Sequence, residues 1–434
     1  MAKLEYTELI TLLLQLSLML IAARIFGEFA RKLRQPVIVG EILAGVILGP
    51  SVLGTISPHS FNSIFPHIGG TPLALDGIIS LSVILLLFIA GLEIELDLLW
   101  KYGKSALSIS LLGVIIPLTV GFFVPYYYPG LFYITDDKQK IIFCLFFGTS
   151  LSITALPVIA KILIDLNLLK SKLGIPIISS AMIDDVIGWL IFSIILSHFK
   201  TTGKETTYFY TIILTIGFVL LMFIVGKRIL DHFLPWINKH LAWPGGFLSL
   251  SLALCFLCAA FTEYIGIHAV FGAFVLGITL RDVSALNEKA KEIVYQFVNN
   301  VFAPLFFVSI GLKVNFVTNF DLQLVLIVIV LAFFGKIIGC GLGAYLSKHN
   351  LRESLAIGFA MNARGAMEII LGLLALQNKL IKESMFVAIV VMALFTSILA
   401  GPFMKLFLKK SSVLKPISPQ NPTQLKLTIE ETKE

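Results

Sequence analysis

Two adjacent aspartates, Asp184 and Asp185, lie at the centre of an apolar stretch, residues 173–198, that is long enough to cross a bilayer. A charge at the middle of a membrane-spanning helix costs roughly 2.5–3.5 kcal/mol on insertion scales, so two neighbouring carboxylates require compensation from elsewhere in the chain. Adjacent residues on a helix point about 100° apart, and the two side chains therefore meet different surroundings. Carboxylates inside a membrane favour the binding of protons or small cations.

Lys336 is the compensating charge that the sequence offers. It lies in the middle of another apolar run, residues 324–346, too far from either end for its ammonium group to reach the interface. One aspartate can hold this lysine while the other faces a cavity. Burial and the neighbouring carboxylate disfavour the charged form of that second group, and the lysine favours it, so the group can exchange a proton for a small cation. A purely structural Asp–Lys pair is the alternative, although it leaves the second carboxylate unexplained.

Composition places these residues in a membrane protein. The chain has 434 residues, of which 57% are hydrophobic and 14% charged, and its mean hydropathy is +0.94. Such a chain is too apolar to form a set of soluble domains. The net charge of +7 does not indicate nucleic-acid binding, because the basic residues lie in short loops between apolar runs.

All four cysteines lie within apolar runs, which argues against a disulfide framework. Cys255 and Cys258 have the spacing of a metal or redox motif, but no second pair accompanies them, so small core residues are the favoured interpretation. We therefore expect no resident metal or cofactor.

Thirteen apolar spans are predicted, which makes the fold all-α and polytopic. They begin near residues 8, 36, 77, 104, 141, 173, 208, 245, 267, 296, 322, 353 and 384. Alternate loops carry seventeen Lys and Arg on one side and eight on the other. The positive-inside rule then places the N-terminus outside the cell membrane and the C-terminus in the cytoplasm. We expect residues 1–410 to form the transmembrane domain and the polar residues 411–434 a disordered cytoplasmic tail.

Two spans are interrupted by polar residues. The fifth carries a run of Thr and Ser that ends at Thr154, followed by Pro157, and the twelfth carries Asn362, Arg364 and Glu368 around a glycine. Broken helices at membrane depth are tolerated only where the freed backbone groups line protein or a cavity. The two spans are seven apart, so spans 1–6 and 8–13 fit inverted repeats, and paired interruptions indicate a substrate site near the midplane. Thr154 and the loosened carbonyls would supply neutral oxygen ligands for an alkali cation.

Other polar residues have weaker claims on the site. Arg364 and Glu368 are four residues apart, so on one helical face they would neutralise each other, and anchoring of the twelfth span is as well supported as a role near the ion. Glu41 and Glu93 favour packing or helix-end roles over ion binding. For His268, near the start of the ninth span, the favoured interpretation is a polar residue whose hydrogen bonds are satisfied within the protein.

Seven segments resemble the second subgroup of the monovalent cation:proton antiporter family. They are GEILAGVILGPSVLG (40–54), LLLFIAGLEIELDLL (85–99), SITALPVIAKILIDLNLL (152–169), AMIDDVIGW (181–189), FGAFVLGITL (271–280), FAPLFFVSIGL (302–312) and MNARGAMEIILG (361–372). The resemblance implies the Na⁺/H⁺ antiporter fold, in which two broken helices cross beside the ion site. It also implies a homodimer whose core domain, here spans 4–6 and 11–13, moves against a dimerisation domain.

The resemblance further implies roles for single residues. Asp185 resembles the aspartate that binds the proton and, transiently, the metal cation, and Asp184 resembles the neighbour that pairs with the helix lysine, here Lys336. Thr154 resembles the threonine of the first broken helix, and Glu368 the glutamate that follows the second. The double aspartate with a lysine is similar to electrogenic members, whereas electroneutral members have Asn before the Asp. Gated potassium-efflux relatives have Gln at the first position and a nucleotide-binding domain, for which this sequence shows no counterpart.

The sequence therefore predicts a secondary active antiporter, not an enzyme, that exchanges Na⁺ for H⁺ by alternating access. K⁺ and Li⁺ stay open as alternative ions, and a K⁺/H⁺ antiporter is the first alternative. A symporter of organic anions on a similar scaffold is the second, but it would leave the acidic pair unexplained. A membrane sensor or enzyme is the third, and no HExxH or GxSxG motif supports it. The expected partners are the bilayer, monovalent cations, protons and a second copy of the chain.

Overall fold

A computed structural model describes most of the chain. The described residues are 5–33, 35–94, 103–134, 137–166, 168, 171, 173–200, 205–240, 245–266, 268–283 and 288–408. Every regular element within these ranges is helical, which confirms the all-α prediction. The predicted tail, residues 411–434, lies outside the described residues.

The helices follow one another in chain order. Those of the first half are α1 (Tyr6–Lys32), α2 (Val37–Leu48), α3 (Leu53–Ile56), α4 (Pro58–Ile64), α5 (Gly70–Leu92), α6 (Gly103–Tyr127), α7 (Asp137–Ser152), α8 (Leu156–Asp165) and α9 (Gly174–Lys200). Those of the second half are α10 (Glu205–Leu221), α11 (Lys227–His240), α12 (Gly245–Tyr264), α13 (Ala269–Arg281), α14 (Glu288–Phe297), α15 (Ala303–Lys313), α16 (Leu322–Leu346), α17 (Leu351–Ala360), α18 (Ala366–Gln377) and α19 (Glu383–Leu408). Two π-turns, Met222–Gly226 and Val298–Phe302, join α10 to α11 and α14 to α15.

Ten helices in the described part of the chain are long and apolar enough to cross a membrane. Three shorter apolar helices, Gln139–Ser152, Ala269–Arg281 and Ala366–Gln377, coincide with the fifth, ninth and twelfth predicted spans. A helix needs about 20 residues to cross the hydrocarbon, so none of these three crosses it alone. The polytopic helical architecture is confirmed, while the total of thirteen spans stays a prediction.

The two interrupted spans cross at their interruptions. The backbone leaves helical geometry at residues 153–155, between α7 and α8, and at residues 361–365, between α17 and α18. The N–H of Ala155 donates to the carbonyl of Ala363 at 2.9 Å. Pro157 lies in the first turn of α8, where backbone N–H groups have no acceptor within the helix. The missing N–H of proline therefore costs no helical hydrogen bond. Each broken span therefore satisfies a backbone group that the other has freed.

The lysine-bearing helix α16 packs closely along α6. Gly339 of α16 faces the carbonyl oxygen of Leu112, and a Cβ at this glycine would lie 2.6 Å from that oxygen. The missing side chain lets the two backbones approach, as small residues do at membrane helix contacts. Lys336, almost one turn before Gly339, is thereby brought against α6 and the end of α7.

We expect Gly339→Ala to destabilise the protein by roughly 1–3 kcal/mol, because the added methyl group overpacks the α6–α16 contact. The measurement is thermal unfolding of the purified protein in detergent. Gly217→Ala is the matched control, since a Cβ at Gly217 of α10 meets no atom within 4 Å. That substitution should leave stability unchanged or raise it by up to about 1 kcal/mol through helix propensity. Equal melting temperatures for the two variants would contradict the close approach.

Candidate cation and proton site

Asp184, on α9, lies inside a closed network of polar groups. Its Oδ2 is 2.6 Å from the Nζ of Lys336 and accepts a hydrogen bond from the Thr154 hydroxyl at 2.9 Å. Its Oδ1 accepts from the Ser110 hydroxyl at 2.6 Å. All four side chains are fully buried. Both oxygens of this carboxylate are therefore occupied by protein groups.

The ammonium group of Lys336 is saturated as well. Besides Asp184 it donates to the carbonyl of Gly113 at 3.1 Å and to the carbonyl of Ser152. An ammonium group has three N–H donors, so each donor has one acceptor. Ser152 is the last residue of α7, where the free carbonyls form the negative end of the helix dipole. The lysine thus neutralises both a carboxylate and a helix end.

Arg364 caps the same helix end from the second broken span. Its two terminal nitrogens donate to the carbonyls of Ser150 and Leu151 at 2.7 and 2.6 Å. Glu368 lies 3.8 Å from the guanidinium through Oε1 and accepts from the Gly365 N–H at 2.9 Å through Oε2. The two residues form the predicted ion pair, but they do not share a helical face, because α18 begins at Ala366 and Arg364 precedes it. Arg364 therefore joins the two broken spans and contacts Glu368 only at ion-pair distance.

Asp185 has different surroundings from its neighbour. Its side chain is buried, with the residue only 2% exposed, and its Oδ1 has no hydrogen-bond partner among the described residues. An unpaired buried polar group costs about 1–3 kcal/mol, and more when it is charged. Asp185 lines a cavity of about 1820 Å³. A carboxylate in this position has oxygen lone pairs available for a proton or a cation.

The cavity lies between two groups of helices. One wall is formed by α1, α2, α5, α14 and α15, and the other by α8, α9, α18 and α19. Basic side chains line part of it: Arg24, Arg31, Lys161, Lys291 and Lys405. The second wall belongs to the spans predicted to form the core domain, and the first to spans predicted for the dimerisation domain. Asp185 is thus at the boundary between the two predicted domains, whose division stays a prediction.

Several other residues were predicted to be structural. His268 accepts a hydrogen bond from the Val270 N–H at 3.4 Å and so caps α13, as expected of a satisfied polar group. Glu41 and Glu93 both line the cavity of Asp185. The Oε2 of Glu93 is buried and has no hydrogen-bond partner in the described part of the chain. The packing interpretation therefore does not account for Glu93.

Sequence reasoning missed Ser110 and Gly113, which supply Asp184 and Lys336 with bonds from α6. Neither residue carries a charge, and serine and glycine are common in membrane helices. No charged residue of the same span lies three or four positions from Ser110, so the spacing along the chain gives no signal for it. The useful signal would have been the donor count of Lys336, which requires acceptors from more than one helix.

Paired broken helices that cross beside a buried carboxylate are typical of the folds of secondary active transporters. The model of the family described as "Sodium/hydrogen exchanger, transmembrane" matches residues 16–410. The chain belongs to this family.

Relatives agree with the family assignment. The chain is 33% identical over 430 residues to Cation/H(+) antiporter 17 of Arabidopsis thaliana, a match that covers 97% of this chain and 50% of the relative. The chain thus spans about half the length of the plant relatives it matches. It is 30% identical over 404 residues to a Na(+)/H(+) antiporter of Enterococcus hirae, covering 91% of this chain and 97% of that one.

A solved structure shares the fold. The sodium proton antiporter MjNhaP1 from Methanocaldococcus jannaschii superimposes with a TM-score of 0.68 at 19% sequence identity. The match covers 94% of this chain and 99% of the other. This likeness confirms the predicted antiporter fold.

We expect Lys336→Met to lower the free energy of unfolding by roughly 3–5 kcal/mol, because it leaves the Asp184 carboxylate buried without its counter-charge. The double variant Asp184→Leu/Lys336→Met should lose less than the single one. Unfolding in detergent, analysed as a double-mutant cycle, measures the difference.

Lys313→Met is the matched control for this experiment. The Lys313 ammonium is 2.8 Å from the half-exposed Asp76 carboxylate, and surface pairs contribute at most about 1 kcal/mol. A Lys336→Met variant as stable as this control would contradict the structural importance of the buried pair.

Proposed function

We propose that the protein exchanges Na⁺ for H⁺ across the cell membrane by alternating access. The observation that carries the proposal is the buried Oδ1 of Asp185, which lies at the wall of a large cavity and has no hydrogen-bond partner among the residues that the structure describes. The printed name of the Enterococcus hirae relative, a Na(+)/H(+) antiporter, supports sodium as the cation. K⁺ and Li⁺ are alternative ions for the same site.

The exchange follows from charge neutralisation at Asp185. A bare carboxylate at membrane depth is unfavourable, whereas a protonated carboxylate and a carboxylate that holds a monovalent cation are both neutral. The proton and the cation therefore compete for the same oxygens. The site can pass through the low-dielectric region in either loaded form but not empty, which couples the two fluxes.

Thr154 and the Asp184–Lys336 pair add to the proposed chemistry of Asp185. The hydroxyl of Thr154 donates to Asp184, while its oxygen lone pairs remain available to a ligand. Exchange of one proton for one cation at Asp185 alone moves no net charge. Electrogenic exchange, which the double aspartate favours, needs a second proton, and the buried Asp184–Lys336 pair is the group that can take it up and release it. Arg364 and Glu368 hold the crossing in place.

The cavity supports the division into two domains and the homodimer. It lies between helices of spans 1, 2, 3 and 10 and helices of spans 5, 6, 12 and 13, as a sliding boundary between two domains requires. We infer that the first group carries the ion and that the second forms the contact with another copy of the chain. Glu41, Glu93 and Asp185 line the cavity among five basic side chains. A buried carboxylate such as Asp185 repels an anion at its own position, which disfavours symport of an organic anion there.

The exchange is tested by proton movement in proteoliposomes after addition of Na⁺, K⁺ or Li⁺. We expect cation-induced proton flux in the wild type and none with Asp185→Asn, because the amide cannot exchange a proton for a cation. Asp76→Asn is the control, since the half-exposed Asp76 pairs with Lys313 and is not among the residues that line the cavity. Flux that persists in Asp185→Asn, or its absence from folded wild-type protein with every cation, would contradict the proposal.

Orientation is tested by labelling of introduced cysteines in whole cells. With the N-terminus outside, His59→Cys on α4 should react with a membrane-impermeant maleimide, and Lys32→Cys at the end of α1 should react only after permeabilisation. Both positions are exposed in the structure. The reverse pattern would show that the N-terminus is cytoplasmic.

A further inference from the structure

We propose that Glu93 forms a second cation-binding position in the cavity, which a cation occupies before it reaches Asp185. The inference deepens the proposed function and rests on it. Glu93 directly follows the last residue of α5 and lines the same cavity as Asp185. Its Oε2 is buried and has no hydrogen-bond partner among the described residues. A buried carboxylate oxygen that makes no hydrogen bond is available to coordinate a cation.

A π-turn brings further oxygen ligands to the same wall. The π-turn Val298–Phe302 packs against α5, and Tyr295 and Asn299, which are hydrogen-bonded to each other, line the cavity beside it. Single π-turns inside α-helices are frequent at functional sites, because the extra residue widens the helix locally. Carboxylate, amide and phenol oxygens are hard ligands of the kind that alkali cations prefer.

The charges around Glu93 relate it to the transport site. It lies close enough to Asp185 for the two carboxylates to interact electrostatically, and close enough to Lys291 for attraction. A structural Glu93–Lys291 ion pair is the competing explanation. The two explanations differ in one respect. If Glu93 and Lys291 form only a structural ion pair, removal of either charge lowers stability. If Glu93 binds a cation, removal of Glu93 weakens cation binding and removal of Lys291 strengthens it.

A cation needs such a position because the cavity is also lined by basic side chains. Four of these, Arg24, Arg31, Lys161 and Lys405, are exposed and raise the electrostatic potential along the entry route. A carboxylate about 10 Å from a cation, in surroundings of intermediate dielectric, changes the local cation concentration roughly tenfold. Glu93 therefore offsets the basic residues at the step before binding to Asp185.

The first experiment compares Na⁺-driven proton flux in proteoliposomes. We expect Glu93→Gln to raise the KM for Na⁺ roughly three- to tenfold with kcat within about twofold of wild type. Glu93→Asp, which keeps the charge, should restore most of the affinity. Lys291→Gln should lower the KM, and Asp76→Asn, which removes a half-exposed carboxylate that pairs with Lys313 and is not among the residues that line the cavity, should change neither constant.

The second experiment measures binding of ²²Na⁺ to purified protein that carries Asp185→Asn. Weak, saturable binding should persist in this variant and disappear in Asp185→Asn/Glu93→Gln. Absence of binding in the single variant, an unchanged KM in Glu93→Gln, or a KM that rises in Lys291→Gln would overturn the inference. Loss of all flux in folded Glu93→Gln would overturn it too. Failure of the proposed function is distinct, because wild-type protein would then show no cation-induced proton flux.

Discussion

The buried contact between Lys336 and Asp184 is the interaction on which the arrangement of the broken spans depends. Through it one ammonium group joins four helices: its own α16, α9 through Asp184, α6 through the Gly113 carbonyl and α7 through Ser152. Together with the hydroxyls of Thr154 and Ser110, the contact occupies both oxygens of the first aspartate. Helix geometry then directs the second aspartate about 100° away, into the cavity. One pair of adjacent residues thus supplies both a buried ion pair and a carboxylate on the cavity wall.

The unwound end of α7 has an unusual concentration of positive charge. Arg364 takes the carbonyls of Ser150 and Leu151, and Lys336 takes that of Ser152. These are the carbonyls that a cation would otherwise find at a helix end. Because protein cations already hold them, the negative charge for a bound ion has to come from Asp185. In the proposed function, proton and cation therefore compete for this one carboxylate.

Hydropathy and charge spacing predicted the helical architecture, the two interruptions and the intramembrane charges, because each is a property of one segment. Contacts between segments were less accessible. The predicted shared face of Arg364 and Glu368 was wrong, since helical spacing was applied to a residue that precedes α18. Ser110 escaped notice because an isolated hydroxyl in an apolar helix has many possible roles. Glu93 was assigned to a helix end correctly, but its position along the chain contains no information about the cavity it lines.

The hydrogen bond between the Ala155 N–H and the Ala363 carbonyl joins the two broken spans at their crossing. Groups bonded to each other at the pivot have to be displaced together, so the surroundings of Asp185 travel with it. In the proposed exchange, an ion would then meet similar ligands whether the cavity opens to one side of the membrane or the other. A carrier of this kind has no preferred direction of its own. In the proposed electrogenic exchange, the two ion gradients together with the membrane potential decide whether protons enter or leave the cell.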